Sequence, residues 1–278
     1  MKILANKKIA PEYYKMAFES PEIGMLATPG QFVHIRVSNN SEPLLRRPFG
    51  IHSIKDIGEA CLVKFEILYR VVGKGTALLA EKKAGEELDV LGPLGNGFKI
   101  NAAGKKTMVL IGGGAGIAPL FFLAQKAHHN KASLSNDIIV LIGGKTKDQI
   151  LCEQEFKELG IEVKIATEDG SYGHKGLVTD LLNNEASLSL PQTSVSLFAC
   201  GPLLMQKGIA KFSSEHNLSC QVSLESRMAC GVGACLGCTI KVKQANWGSE
   251  EETAPNQVCY KRVCKDGPVF EANEIDWE

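Results

Sequence analysis

Three cysteines stand close together in a glycine-rich stretch near the end of the sequence. In ESRMACGVGACLGC, residues 225–238, Cys230, Cys235 and Cys238 have the spacing C-x4-C-x2-C, and Cys264 follows later. This is the plant-type spacing with which four thiolates hold a [2Fe-2S] cluster. The intervening glycines allow the sharp turns and close backbone approach that such a loop needs. A structural zinc site is the alternative, but zinc ribbons usually carry two C-x2-C pairs and this stretch has one. The spacing therefore predicts a one-electron iron–sulfur centre.

Two cysteines compete for the fourth ligand position. Cys259 and Cys264 lie five residues apart in QVCYKRVC, an extended-looking run, and an odd separation on a strand directs side chains to opposite faces. We prefer Cys264 because KDGP follows it, and an Asp-Gly turn suits the end of a ligand-bearing strand. Cys259 stays open as the alternative. Cys61, Cys152 and Cys220 are predicted to be small buried hydrophobic residues.

A second stretch has the pattern of a nucleotide-binding turn. In VLIGGGAGIAPL, residues 109–120, an apolar run leads through glycines into a helical stretch, which can place helix N–H groups against a phosphate. The glycines are Gly112, Gly113, Gly114 and Gly116. Ile117 occupies the third glycine position of G-x-G-x-x-G, so a tight turn without a ligand is the competing interpretation. FACGP ends a later predicted strand, and the carboxyl ends of parallel strands bind ligands. The same crevice is therefore expected to include Cys200, Gly201 and Pro202.

Arginines stand beside an aromatic residue and a glycine turn in the first hundred residues. These are LLRRPFGIHS, residues 44–53, and LYRVVGKGTALL, residues 68–79. Arginine neutralises a pyrophosphate and forms paired hydrogen bonds to it. A solvated arginine pair beside a hairpin gives the same pattern, so this stretch alone does not decide between the two.

The chain divides into three segments with different periodicity. Residues 1–101 show short β-rich runs between turns, which predict an antiparallel β-barrel or sandwich. Residues 102–218 repeat apolar strand, glycine turn and helix, which predicts an α/β domain with a parallel sheet. In residues 219–278 glycine and cysteine replace this periodicity, and the small segment is expected to depend on a bound group. The predicted fold is a multi-domain chain with a β-barrel, a central nucleotide-binding domain and a small cluster-binding domain.

Composition narrows the classes of function. The chain has 278 residues, of which 44% are hydrophobic, and its 31 basic and 31 acidic residues leave no charge excess for nucleic acid or a membrane surface. The N-terminus lacks the pattern of a signal peptide, and the longest apolar run is interrupted by glycines, so a cytoplasmic location is expected. The histidines show no ligand spacing, and no set of nucleophile, base and orienting group stands out.

An iron–sulfur centre exchanges single electrons and cannot accept a hydride, so a chain that also binds nicotinamide needs a flavin. The motifs RPFG, LYR, GKGT, GPLGNGF, IGGGAGIAPL and ACGP, and the cysteine stretch followed by RVCKDGPVF, then resemble the ferredoxin-reductase-like family in sequence and order. Within it the chain is most similar to the electron-transfer subunits of NAD-linked dihydroorotate dehydrogenases. The resemblance covers essentially the whole chain, and its C-terminal cysteine signature is the most specific part.

The resemblance implies three cofactors: FAD on the barrel, a [2Fe-2S] cluster on the cysteines, and NAD as electron acceptor beside the glycine turns, with Cys200 near the nicotinamide. The implied FAD contacts are Arg47, Pro48, Phe49, Gly50, Leu68, Tyr69, Arg70, Gly75 and Thr76. Members often carry Ser or Thr where Gly50 stands, which puts one flavin contact in question. Lys145 and Lys147 follow a predicted strand and could contact a 2′-phosphate, so NAD rather than NADP is an implication of the resemblance.

The resemblance also implies a partner. An FMN-containing dihydroorotate dehydrogenase catalytic subunit would oxidise dihydroorotate in pyrimidine (UMP) biosynthesis, and electrons would pass through the cluster and FAD to NAD⁺. Two copies of each chain are expected. The nearest rival is a reductase subunit that serves ferredoxin, sulfur or a hydrogenase. A rival from another class is a zinc-stabilised nucleotide-binding regulator.

Overall fold

The first hundred residues fold into an antiparallel barrel, as predicted. The structure, a computed structural model, describes residues 1–38, 40–56, 63–100, 107–129, 137–183, 194–243 and 259–277. The barrel strands are β1 (Ile3–Ala10), β2 (Tyr13–Glu19), β3 (Phe32–Arg36), β4 (Arg47–Asp56), β5 (Val63–Arg70) and β6 (Asp89–Leu94). They pair in the order β1-β2-β5-β4-β3-β6, and a bridge between Lys2 and Glu87 joins the two edges.

Apolar residues with a two-residue period fill the barrel, as strand geometry requires. Phe65 and Ile67 of β5 are fully buried, and the ring of Phe65 stacks on Phe18 with 5.0 Å between the centroids. Two short helices, α1 (Pro21–Leu26) and α2 (Lys74–Ala80), connect strands. The first begins where the Ser20 hydroxyl accepts the N–H of Ile23, a typical N-cap.

The central domain is a seven-stranded sheet flanked by helices. Its strands are β7 (Thr107–Gly113), β8 (Ile138–Gly144), β9 (Glu162–Thr167), β10 (His174–Lys175), β11 (Val195–Cys200), β12 (Ser219–Ser223) and β15 (Val269–Glu271). The helices are α3 (Ile117–His129), α4 (Glu153–Glu158), α5 (Val178–Asn183) and α6 (Leu203–Glu215). The strand order is β10-β9-β8-β7-β11-β12-β15, and all neighbours are parallel except β12 and β15. Every residue of the central strand β7 is buried, as expected in a parallel sheet covered on both faces.

The two domains pack on each other through α3. This helix lies against β4, and its Phe122 enters the core of the barrel. The carboxyl ends of β7 and β11, where the two glycine turns begin, therefore face the strand that carries the RPFG motif. This packing places the sequence motifs of both domains around one crevice.

The C-terminal segment shares its core with the central sheet. It contributes β12 and the edge strand β15 to that sheet, and a separate antiparallel pair, β13 (Thr239–Val242) and β14 (Cys259–Arg262). Cys238 and Cys264 are buried in the same apolar cluster as β7 and β11. Because the sheet continues through β12, the domain boundary at residues 218 and 219 stays a prediction.

Candidate functional site

A cavity of about 850 Å³ lies between the barrel and the central sheet. All nine residues predicted to contact FAD line it: Arg47, Pro48, Phe49, Gly50, Leu68, Tyr69, Arg70, Gly75 and Thr76. This volume is in the range of small-molecule and cofactor sites. At Gly50 a Cβ would lie 3.7 Å from Pro119, an ordinary contact, so the wall has room for a Cβ at this position.

Arg47 and the turn before α2 form a cationic corner of this cavity. A Cβ at Gly75 would lie 2.8 Å from Arg47 Nε, so only glycine lets the guanidinium lie over this turn. The Thr76 hydroxyl accepts the N–H groups of Val72 and Gly73 at 2.9 and 3.2 Å and fixes the turn. Arg47 has no acidic partner among the described residues, so its charge is available to an anion. A glycine cradle under an arginine fits the pyrophosphate of FAD.

The remaining barrel wall is rigid and aromatic. The Tyr69 hydroxyl donates to Asn6 Oδ1 at 3.1 Å, and its ring packs edge-on against Phe49 with 5.6 Å between centroids. Burial raises the pKa of Tyr69, so this hydroxyl stays protonated at physiological pH. Arg70 pairs with Glu12 at 2.7 Å, and its charge is therefore already compensated.

The two glycine turns meet on the opposite wall. Cys200 pairs with Gly112 in the sheet, and a Cβ at Gly116 would lie 2.5 Å from the Cys200 carbonyl oxygen. Gly116 and Cys200 line the cavity. The other predicted NAD contacts lie in or beside these turns but do not line it: Gly112, Gly113, Gly114, Gly201 and Pro202. Burial raises the pKa of Cys200, so its thiol stays protonated.

The cysteine loop presents its thiols to backbone N–H groups. Cys235 donates its N–H to Cys230 Sγ at 3.4 Å, and Cys264 donates its N–H to Cys238 Sγ at 3.4 Å. The N–H groups of Cys235 and Val232 lower the pKa of Cys230 to about 6, so this thiol is poised as a thiolate. Burial, and then the adjacent Cys238, raise the pKa of Cys264 to about 12. Four thiols, two of which accept backbone N–H groups, fit an iron–sulfur cluster.

Cys264 reaches the loop in a different way from the one the sequence suggests. The strand β14 ends at Arg262, and Cys264 lies in the following turn, so the alternation of strand side chains does not extend to it. The turn itself is the predicted one, and Asp266 holds it by accepting the N–H of Arg262 at 2.7 Å. Cys259 pairs with Val242 at the start of β14.

Known proteins are similar in sequence to this chain over its whole length. Residues 225–276 match the iron–sulfur cluster binding domain of dihydroorotate dehydrogenase B, and residues 110–211 match the oxidoreductase NAD-binding domain. The electron transfer subunit of dihydroorotate dehydrogenase B (NAD(+)) from Desulforamulus reducens is 40% identical over 278 residues, which cover 100% of this chain and 97% of that protein. The chain belongs to this electron-transfer subunit family. The Geobacillus sp. subunit is also 40% identical, over 99% of this chain and 97% of its own.

Two solved structures share the fold of this chain. An NADH-dependent reduced ferredoxin-NADP oxidoreductase, studied for flavin-based electron bifurcation, has a TM-score of 0.79 and 32% identity over 99% of this chain and 89% of that one. A ferredoxin NADP⁺ reductase from Neisseria gonorrhoeae with bound FAD and NADP shares the fold, with a TM-score of 0.63 and 19% identity over 77% of this chain and 89% of that chain. None of the described helices is long and apolar enough to span a membrane.

Several residues that line the cavity were not predicted from the sequence. Glu225 and Ser223 line the cavity beside Cys200, at the carboxyl end of β12, and burial raises the pKa of the Glu225 carboxyl. The rule about carboxyl strand ends could have found them, had it been applied to β12 as well as β11. Met228, at the start of the cysteine loop, also lines the cavity and connects it to that loop.

His34 was missed too, and no sequence pattern marks it. It lies in β3, paired with Pro48, and is completely buried. Backbone groups of Arg46, Met228 and Cys230 lie near the ring, yet within the described chain neither ring nitrogen has a partner with hydrogen-bond geometry. Burial lowers the pKa of His34, so the ring is neutral at physiological pH.

The other cysteines lie away from the cavity. Cys220 is buried in β12 as predicted. Cys152 is partly buried and packs against the apolar core of the central domain, close to His52 and Glu155. Cys61 lies outside the described residues.

Proposed function

We propose that this chain carries electrons from a separate catalytic subunit, which oxidises dihydroorotate, to NAD⁺. One observation carries the proposal: a single cavity has the predicted flavin residues on one wall, Gly116 and Cys200 on the opposite wall, and Met228 of the cysteine loop on a third side. A bound flavin exchanges a hydride with nicotinamide and single electrons with a [2Fe-2S] cluster. The order of binding sites in space is the order that this electron path requires.

The residues of the barrel hold and orient the flavin in this proposal. Arg47 and Gly75 bind the pyrophosphate through charge and close backbone approach. Phe49 and Tyr69 form a stiff apolar wall that excludes water from one face of the ring system. The remaining proposed contacts are Pro48, Gly50, Leu68, Arg70 and Thr76.

The central domain orients NAD in the same proposal. Gly116 and Cys200 place the nicotinamide end at the cavity, and the rest of the turns hold the phosphates. The proposed contacts are Gly112, Gly113, Gly114, Gly201 and Pro202. A protonated Cys200 thiol is neutral and leaves the path of the hydride free of charge.

Cys230, Cys235, Cys238 and Cys264 hold the cluster in the proposal. The backbone N–H groups that point at Cys230 and Cys238 stabilise negative charge on sulfur, which favours the thiolate form that binds iron. Cys238 and Cys264 are buried whereas Cys235 is exposed, so the site connects the interior with the surface.

The proposed partner is a catalytic subunit with FMN, in an assembly of two catalytic and two electron-transfer chains. Two exposed apolar residues of the cysteine loop support a protein contact there. Val232 is 53% exposed and Leu236 is 60% exposed. The proposed domains are residues 1–101, 102–218 and 219–278. We place the protein in the cytoplasm, because reduced cysteines suit that compartment.

A subunit of a ferredoxin-linked oxidoreductase is the second candidate. The NADH-dependent reduced ferredoxin-NADP oxidoreductase, with its TM-score of 0.79, favours it. Co-purification separates the candidates: a partner that contains FMN and oxidises dihydroorotate supports the first, and a ferredoxin-reducing partner supports the second.

Activity assays test the proposal directly. The isolated chain, loaded with FAD and cluster, should oxidise NADH with an artificial acceptor but should not oxidise dihydroorotate. Adding the catalytic subunit should couple dihydroorotate oxidation to NAD⁺ reduction. Dihydroorotate oxidation by the isolated chain would contradict the division of labour.

A further inference from the structure

A group of polar side chains lies away from the flavin cavity, where the barrel packs on the central domain. His52 of β4 is fully buried, and Cys152 and Glu155 lie at the start of α4 and are half-buried. An imidazole nitrogen, the thiol sulfur and a carboxylate oxygen of these residues lie within 4.8 Å of one another. They are brought together by the contact between two domains rather than by local sequence.

The neighbours of this group hold it in place. The ring of His52 stacks on Phe121, with 4.9 Å between centroids and 25° between planes, which fixes the direction of its nitrogens. His52 Nε2 lies 3.3 Å from Glu155 Oε1, a long hydrogen bond. Lys15 Nζ lies 2.5 Å from the same oxygen. Within the described residues, His52 Nδ1 has no hydrogen-bond partner.

We propose that His52, Cys152 and Glu155 bind a zinc ion that ties the barrel to the nucleotide-binding domain. Imidazole nitrogen, thiolate and carboxylate oxygen are the three ligand types that zinc takes, in a tetrahedral arrangement whose fourth position can hold water. Magnesium and calcium prefer sites made of oxygen alone, and the thiol argues against them. The stacking of His52 on Phe121 orients the imidazole, a role that hydrogen bonds fill at many metal sites.

Two cations compete with zinc for this site, the thiol proton of Cys152 and the Lys15 ammonium. Binding exchanges the thiol proton of Cys152 for the metal and releases the proton to solvent. The Lys15 ammonium competes for the Glu155 carboxylate. The Lys15 side chain is 19% exposed and can turn toward solvent, whereas the buried imidazole cannot. Lys15 is therefore the group that competes with zinc and lowers the affinity of the site for the metal.

The experiment uses the full chain loaded with FAD and iron–sulfur cluster, so that the loop cysteines are occupied. Anaerobic equilibrium dialysis against zinc chloride, followed by elemental analysis, should give one zinc per chain. X-ray absorption at the zinc edge should show one sulfur at about 2.3 Å and nitrogen or oxygen ligands at about 2.0–2.2 Å. A shell of several sulfurs would place zinc on the cysteine loop and overturn the proposal.

Single substitutions test which residues bind the zinc ion. Cys152→Ala and His52→Gln should each weaken zinc binding by about 10-fold or more. Lys15→Met should strengthen it. The matched control is Cys220→Ala, which removes a buried thiol of β12, outside the proposed zinc site, and should leave zinc binding unchanged.

Three outcomes would overturn the proposal: no stoichiometric zinc in the wild-type chain, equal loss in Cys152→Ala and Cys220→Ala, or weaker binding after Lys15→Met. The FAD content and the visible spectrum of the cluster are recorded for every variant and show whether it has folded. Zinc binding is measured without turnover, so its failure is distinct from a failure of the electron-transfer function.

Discussion

The ring of His34 lies directly against Cα of Gly231. A Cβ at Gly231 would stand 2.5 Å from His34 Nδ1, and the φ angle of Gly231 is +72°. His34 also pairs with Pro48 on the flavin wall. One buried imidazole therefore lies between the proposed cluster loop and the proposed flavin strand.

This contact predicts that Gly231→Ala disrupts the cysteine loop. The added methyl group collides with a fully buried ring, and the left-handed backbone costs alanine about 1–2 kcal/mol. Gly237→Ala is the control, because its Cβ would lie 3.6 Å from Cys235 Sγ, an ordinary contact. Iron per chain should fall by more than half in the first variant and stay near wild type in the second. Equal iron contents would show that the His34 contact does not matter.

The position of Cys264 predicts opposite results for two serine variants. Cys264→Ser removes the thiol beside Cys238 and should abolish the visible spectrum of the cluster. Cys259→Ser changes a residue at the start of β14 and should keep that spectrum. Absorbance and sulfide analysis of anaerobically purified protein measure both. The reverse pattern would make Cys259 the fourth ligand.

The two neighbouring arginines should differ in their effect on FAD. Arg46 forms an ion pair with Asp89, whereas Arg47 lies over the glycine turn. Arg47→Ala should weaken FAD binding by about 10- to 100-fold, since a hydrogen bond to a charged group contributes about 1.5–3 kcal/mol. Arg46→Ala should have a smaller effect. Titration of the deflavinated protein with FAD, followed by fluorescence, measures both constants, and equal losses would argue against the role given to Arg47.

Glu66 predicts a pH dependence of stability. Burial alone would raise the pKa of its carboxyl, but the hydrogen bond from Ser53 at 2.7 Å and the charge of Lys64 outweigh burial and lower it. A lowered folded-state pKa means that the stabilisation is present above the unfolded value of about 4.3. It is lost as the pH falls through the folded value.

Glu66→Gln should therefore lower the melting temperature at pH 7, and the free energy of unfolding should fall by about 1–3 kcal/mol. The difference in melting temperature between the wild-type protein and the variant should narrow as the pH falls below about 4.3. Thermal unfolding of both proteins across this range provides the test. A gap that does not change with pH would mean that the charge of Glu66 contributes nothing.

The parts of the molecule that depend on local pattern were predictable. The spacing of Cys230, Cys235 and Cys238 predicts a cluster because ligands in one loop must be close in sequence. The alternation of strand, turn and helix predicts the parallel sheet, because the βαβ connection imposes it. The nine proposed FAD residues come from motifs whose positions in the fold the resemblance supplies.

The parts that depend on contact between segments were not predictable. His34 has ordinary strand neighbours, and its importance arises only because Gly231, 197 positions away, packs on it. The group of His52, Cys152 and Glu155 exists only where two domains meet. The preference for Cys264 came from the KDGP turn that follows it. The alternation of strand side chains does not extend to Cys264, since β14 ends two residues earlier.

Anaerobic reduction of the isolated chain by NADH tests the central claim most directly. Electron paramagnetic resonance on frozen samples should show a reduced [2Fe-2S] signal, and absorbance should show bleached FAD, in the absence of any catalytic subunit. The account predicts both changes from NADH alone. Fully loaded protein whose flavin is reduced by NADH while its cluster stays oxidised, even though dithionite reduces that cluster, would contradict it.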